Sequence, residues 1–162
     1  LVRPAPRPVL AVPPATEAKP FQHVLVPTDF STSAEHALAL GAQLVAPEGR
    51  VTLLHVLDLP APYPGEVAEV DLGNLERNAY AALQEAAAAV KDKGRLATVS
   101  RFGWPGEQIL AALDDDPTID LVAIGSHGRT GIKRVLIGSV AEKTVRYARC
   151  PVLVARQPAK PR

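Results

Sequence analysis

A chain of 162 residues, 47% hydrophobic and 22% charged with a formal net charge of +1, fits one globular domain and is neither disordered nor fibrous in composition. No apolar run approaches the roughly 20 residues of a membrane-spanning helix, and six prolines break up residues 1–20, so no signal-peptide core is present there. The lone Cys150 cannot close an intramolecular disulfide and no Cys/His cluster has zinc-site spacing, which makes a reducing cytoplasm the expected compartment.

Residues 1–20 read as an extended, Pro-rich, flexible segment and residues 157–162 as a flexible tail, both outside the fold. The absence of methionine, at position 1 as elsewhere, fits a processed product or a piece of a longer chain, with the first segment then an interdomain linker. From residue 21 onward apolar runs alternate with helical patterns. Residues 23–26 predict a first strand, 51–57 a second, 96–102 a third, 121–124 a fourth and 152–155 a fifth. The second, fourth and fifth are rich in Val, Leu and Ile without clean alternation, as parallel strands covered on both faces are. Thr32 with Glu35 forms a capping-box pattern opening a helix through Val45. Leu72, Leu75, Ala79, Leu83, Ala86 and Val90 recur at three- and four-residue intervals. Pro105 suits a first helical position ahead of Ile109, Leu110 and Leu113, and Ser139 with Glu142 repeats the capping pattern. This alternation predicts an α/β domain over residues 21–156, an open, doubly wound parallel sheet with helices on both faces, in which ligands bind beyond the carboxyl ends of the strands. Cys150, followed by Pro151 and an apolar strand, reads as a buried core residue.

Charge is distributed unevenly. Residues 21–155 hold 12 Lys/Arg against 16 Asp/Glu, which argues against general nucleic-acid binding. Residues 125–149 run the other way, with Arg129, Lys133, Arg134, Lys143, Arg146 and Arg149 against Glu142 alone, a concentration of positive potential suited to a small anionic ligand. The stretch Gly125-Ser126-His127-Gly128, nine residues, then Gly138-Ser139 runs from the end of a predicted strand to the start of a predicted helix. Unpaired N–H groups and the helix dipole favour an anion there, and glycines permit close backbone approach and positive φ. Alone, this spacing fits equally a glycine-rich turn with solvated basic residues. Pro27-Thr28-Asp29 ends the first strand with a carboxylate able to accept from ribose hydroxyls or a base amine, though Asp29 fits a helix cap as well. Two such features at the ends of central strands favour a nucleotide.

On these residues the chain resembles the universal stress protein family over nearly all of residues 21–156. The run Gly125-Ser-His-Gly128, nine residues, Gly138-Ser139 is similar to the G-x-x-G, nine residues, G-[S/T] motif of its ATP-binding members. The start Val26-Pro27-Thr28-Asp29-Phe30-Ser31, the second strand's Leu54-His55-Val56 and the close from Cys150 to Ala155 also look like the family. The resemblance implies an adenine nucleotide alpha-hydrolase-like sheet of strand order 3-2-1-4-5, a homodimer paired through Val152, Leu153 and Val154 of the last strand, and ATP, with or without Mg2+, as ligand. By matching position it sets Pro27, Thr28 and Asp29 against adenine and ribose, and Val56 and Ile124 beside the base. It sets Gly125, Gly128, Gly138, Ser139 and Val140 around ribose and phosphates, with Arg129 at a commonly basic position.

The function this implies is a nucleotide-dependent stress-response sensor or regulator. A weak ATPase and a nucleotide-free scaffold stand as alternatives. Catalysis requires a positioned base near the phosphates, and His127 is the one side chain in the loop of that type. Neither the P-loop pattern G-x-x-x-x-G-K-[S/T] nor the S-G-G-x-D loop of ATP pyrophosphatases occurs. No catalytic or metal-binding residue is assigned. His23, His36 and His55 read as structural, Asp114-Asp115-Asp116 as a solvated turn before Pro117, and Trp104 as lining either cleft or core.

Overall fold

In the computed structural model, which describes residues 7–14, 16–58, 71–90, 95–128 and 137–156, a six-stranded sheet carries helices on both faces. In chain order the elements are β1 (Val9–Ala11), β2 (Phe21–Thr28), α1 (Thr32–Leu44), β3 (Val45–Leu57), α2 (Leu72–Ala88), β4 (Leu96–Phe102), α3 (Pro105–Asp115), β5 (Leu121–Gly125), α4 (Ser139–Tyr147) and β6 (Val152–Ala155). The sheet order is β1-β6-β5-β2-β3-β4. The five predicted strands are β2 to β6, all mutually parallel and in the expected relative order. The tail at 157–162 lies outside the described residues.

One expectation is corrected. Residues 9–11, read from sequence as part of a flexible segment outside the fold, form a strand that pairs antiparallel with β6, Val9 opposite Val154, Leu10 opposite Leu153 and Ala11 opposite Val152. Val-Leu-Ala is an apolar triplet with strand propensity. The prolines around it obscure that signal, yet proline is tolerated beside a short edge strand. The outer edge of β6, where the resemblance sets a second copy, is therefore occupied by the chain itself.

Alternate residues of the central strands point to opposite faces and fill two cores. Val24, Val26, Leu53, Leu121, Ala123 and Leu153 pack against Ala37 and Leu38 of α1 and Leu83 of α2. Leu25, Leu54, Val122, Ile124, Val152 and Val154 pack against Ile109 and Leu113 of α3 and Ala141 of α4. Cys150 lies in this second core, as expected, and burial raises its thiol pKa.

Two helix starts differ from their expected caps. Ser31, not Thr32, is the N-cap of α1, its hydroxyl oxygen accepting from the Ala34 N–H. Gly138 is the N-cap of α4, with no side-chain cap bond, so Ser139 is the first helical residue and Glu142 pairs with Arg146 at 3.4 Å. Pro105 occupies the first turn of α3 as its fixed φ allows.

The amino-terminal ends of the strands are tied by polar groups. Asp120 accepts the N–H groups of Gln22 (2.9 Å) and His23 (3.0 Å). His23 is 3% exposed, with Nδ1 2.9 Å from Thr118 Oγ1 and Nε2 2.8 Å from Thr52 Oγ1. Thr118 donates its hydroxyl to Asp116 while Arg50 donates to the Thr118 oxygen, so the remaining lone pair accepts from His23 Nδ1–H and Thr52 donates to Nε2. Burial favours the neutral imidazole. Asp116, the last of the three consecutive aspartates, is a member of this network, and Asp115 pairs with Arg101 at 2.9 Å.

Burial, reinforced by Arg50 and opposed by Asp116 and Asp120, lowers the His23 pKa below 6.5. The unfolded chain then binds the additional proton first, so stability falls as pH drops through about 6.5 and levels off below the folded-state value. Urea midpoints measured between pH 7.5 and 5 should decline with pH, and His23→Gln should shrink the decline while lowering stability at pH 7.5.

Candidate functional site

The site arises where β2 and β5 part. Their pairing is confined to Val24 with Leu121 and Leu25 with Val122. Beyond that point Pro27 and Thr28 pair with Leu54 and His55 of β3, and Ile124 and Gly125 with Val154 and Ala155 of β6. Pro27 offers no N–H, and it sits where the ladder to β5 has already ended. A cleft of about 650 Å³ opens there, within the range of small-molecule sites.

Ten of the eleven residues singled out from sequence line this cleft: Pro27, Thr28, Asp29, Val56, Ile124, Gly125, Gly128, Gly138, Ser139 and Val140. Arg129, like Lys133 and Arg134, lies outside the described residues. The apolar wall also takes Ala34, Leu54, Pro105, Ile109, Ile137 and Ala141, and the polar part takes Asp58, Ser126 and His127. Sequence reading missed these, except His127, because each belongs to an element whose pattern records only that it is apolar or in a turn. Trp104 is 60% exposed and neither lines the cleft nor covers the core; it is the N-cap residue of α3, its carbonyl accepting from Glu107 and Gln108.

Asp29 is oriented by its neighbours. Its Oδ1 accepts from the Ser31 N–H (3.1 Å) and hydroxyl (2.6 Å), so it supports the N-cap rather than capping α1 itself. Ser31 Oγ lies 3.2 Å from Ser33 Oγ, and Ser33, 2% exposed, donates to the carbonyl of His127. Through these two serines the start of α1 is bonded both to the carboxylate at the end of β2 and to the glycine loop after β5. Phe30, between Thr28 and Ser31, adopts a left-handed φ of 62°, with its N–H donating to Thr28 Oγ1 at 3.0 Å and its ring 4.5 Å from that of His55. Nδ1–H of His55 donates to the Thr28 carbonyl at 2.8 Å and that of His36 to the Arg156 carbonyl at 2.5 Å, structural uses as expected.

The loop ends are pinned together, the Gly138 N–H donating to the Ser126 carbonyl at 2.8 Å and the Ser126 N–H to Ala155 at 2.8 Å. The glycines serve close approach rather than positive φ, which among described glycines occurs at Gly103. A Cβ on Gly125 would stand 2.8 Å from Ser33 Oγ and 2.9 Å from the Ser33 carbonyl carbon, and one on Gly138 3.3 Å from the Ser126 carbonyl oxygen. A Cβ on Gly128 would stand 2.9 Å from Asp29 Oδ2, which brings the two sequence motifs into contact.

These features set an anion-favouring helix start beside an apolar wall. The first N–H groups of α4 carry no side-chain cap and Ser139 and Val140 of that turn line the cleft, a setting that favours phosphate. The Leu54, Val56, Ile109 and Ile124 wall offers an apolar surface for a base. Nε2 of His127 is buried with no hydrogen-bond partner among the described residues, while Nδ1 lies 2.9 Å from Ser126 Oγ. No group of three His, Cys, Asp or Glu residues capable of holding a metal occurs among the described residues.

Because Gly125 is wedged against the first turn of α1, Gly125→Ala should destabilise the fold by about 1–3 kcal/mol. Thermal or urea unfolding without ligand checks this, and Gly125→Ala combined with Ser33→Ala should recover part of the loss.

Comparison with known proteins agrees with this architecture. Residues 20–156 match the model of the universal stress protein family. Universal stress protein MJ0531 of Methanocaldococcus jannaschii is 30% identical over 152 residues, covering 86% of this chain and 85% of its own. MJ0577 of the same organism is 28% identical over 156 residues, covering 85% and 96%. The solved structure of MJ0577 superposes with a TM-score of 0.76 at 31% identity, over 88% of this chain and all of that one. The universal stress protein UspA from Lactobacillus plantarum does so with a TM-score of 0.68 at 25% identity, over 86% and 100%. A universal stress protein in complex with cAMP, 24% identical with a TM-score of 0.64 over 85% and 98%, shares the fold. With a glycine loop of the family's spacing at the parting of two central strands, and the family model matched from residue 20 to 156, the chain belongs to the universal stress protein family.

Proposed function

We propose that the cleft binds an adenine nucleotide, ATP, and that its occupancy makes the chain a nucleotide-dependent regulator. The observation that carries this reading is the meeting, in one cleft, of the uncapped N-terminus of α4, the Asp29 carboxylate and an apolar wall from β3, β5 and α3. In this reading the base lies against Val56 and Ile124, with Pro27 and Thr28 at its edge, and Asp29 accepts from ribose hydroxyls. The phosphates lie over Gly125, Gly128, Gly138, Ser139 and Val140, and Arg129 offsets their charge. Mg2+ would enter with the phosphates. Membership of a family whose ATP-binding members carry the same glycine spacing supports the choice of ATP. Regulation follows if the nucleotide prefers one conformation or assembly of the chain over another. Release of any co-purified nucleotide by denaturation, followed by calorimetric titration of the stripped protein with ATP, AMP and cAMP, tests the reading; no binding by any of the three would remove it.

Gly138→Val places two methyl groups over the phosphate path, so affinity for ATP should fall at least tenfold, equivalent to about 1.4 kcal/mol, while circular dichroism stays that of the parent. Asp29→Asn keeps an acceptor for Ser31 but loses the charge. A loss of about 1.5–3 kcal/mol in nucleotide affinity is expected, as for a hydrogen bond to a charged group. An unchanged titration would leave Asp29 as support for the N-cap alone.

A further inference from the structure

β6 is fully covered, with Val152 at 2%, Leu153 at 6% and Val154 and Ala155 at 0% exposure, and the strand that closes its outer edge is β1. That closure is slight. Three residues pair, and Pro8 and Pro13 bracket them, with Pro14 next, so backbone N–H groups that could lengthen the ladder are missing. Leu10 is 44% exposed and Val12, the residue after the strand, 55%, so little apolar burial holds the segment down. Between the chain just after β1 and helix α4 lies a second cavity of about 270 Å³, lined in part by Val12, Pro13, Val145, Ala148 and Cys150. The segment therefore also forms one wall of the space beside the buried thiol.

Were β1 to leave, the edge of β6 would present unpaired N–H and C=O groups flanked by Val, Leu, Val and Ala, a template for another strand. The edge accepts an antiparallel partner, as β1 demonstrates, and an antiparallel pair of identical strands closes about a two-fold axis with no further edge to extend. Four apolar residues of a second β6 offer a longer ladder than the three of β1. What favours β1 is its tether. Nine residues separate Ala11 from Phe21, and so short a tether gives an effective concentration of about a millimolar. At micromolar protein the tethered strand wins even against a partner of equal or somewhat better intrinsic fit.

We propose that Val9–Ala11 is a self-capping strand that holds the β6 position otherwise filled by β6 of a second copy, so that the chain is monomeric with the cap in place and dimerises through β6 when the cap is displaced. This inference is independent of nucleotide binding.

Its test is the oligomeric state of the full chain against that of a full-length variant carrying Val9→Gly, Leu10→Gly and Ala11→Gly, by sedimentation at micromolar concentration. The expected result is a monomer for the parent, a doubled mass for the variant, and return of the variant to a monomer on addition of a synthetic peptide spanning residues 7–14. Cys150 in the parent should label slowly with a thiol reagent and speed up severalfold in the variant. Equal mass for parent and variant overturns the proposal, as does a variant dimer that the peptide leaves intact. A second variant, Ala11→Cys with Val152→Cys in a Cys150→Ser background, ties the cap down without loosening the fold. Oxidised, it must stay monomeric at concentrations where the reduced form associates; association of both alike overturns the proposal equally.

Discussion

Everything functional in this chain depends on where two neighbouring parallel strands stop sharing hydrogen bonds. β2 and β5 are joined at Val24/Leu121 and Leu25/Val122, after which each continues with its other neighbour alone. Right-handed crossovers then require the helix after β2 and the helix after β5 to leave on opposite faces. α1 joins the core with Leu53 and Leu83, and α4 the core with Ile109 and Leu113. Between the diverging chains remain two free strand ends, one helix N-terminus without a side-chain cap, and a gap wide enough for a ligand. The gap is a consequence of topology; the residues that line it decide its chemistry.

The two ends of the sheet are built for different purposes. At the amino-terminal end, polar groups are used up on the protein itself. Asp120 takes two backbone N–H groups, His23 is bonded at both nitrogens, and Arg95 binds the carbonyls of Ala46, Pro47 and Gly49. At the carboxyl end some polar capacity is left over among the described residues, as the start of α4 without a side-chain cap and the His127 Nε2 without a partner there illustrate. Buried polar groups are ordinarily satisfied, and those that are not tend to lie where something else binds. Ser31 donates to the Asp29 carboxylate and Ser33 to the His127 carbonyl, so the start of α1 is bonded to both the carboxylate and the glycine loop.

The edges of the sheet give a second view of the same economy. An unpaired edge invites association, and this chain spends a short N-terminal strand on one of its two. The opposite edge, β4, pairs with β3 alone among the described residues and keeps Val99 and Phe102 partly exposed. The sheet thus carries, in β1, a strand that lies upstream of residues 20–156, the region matched to the family.

The sequence by itself determined the five parallel strands and four helices, because a strand buried on both faces must be an apolar run and a helix must repeat its apolar residues every three or four positions. It also located the glycine loop by the spacing of Gly125, Gly128 and Gly138, whereas the wedging of Gly125 against Ser33 is a tertiary contact. It did not reveal that Ser31 rather than Thr32 caps α1, that Ser139 caps nothing, or that Ser33 ties α1 to the loop, because neighbouring hydroxyl residues are alike until the backbone orients them. It misread Val9–Ala11, whose three apolar residues among prolines carry no periodicity; their pairing with residues 152–154 is a contact between distant parts of the chain. It named ten residues of the cleft but not Pro105, Ile109 or Ile137. Those come from α3 and from the segment before α4, and only the packing of that face of the sheet decides which apolar residues turn toward the core and which toward the opening.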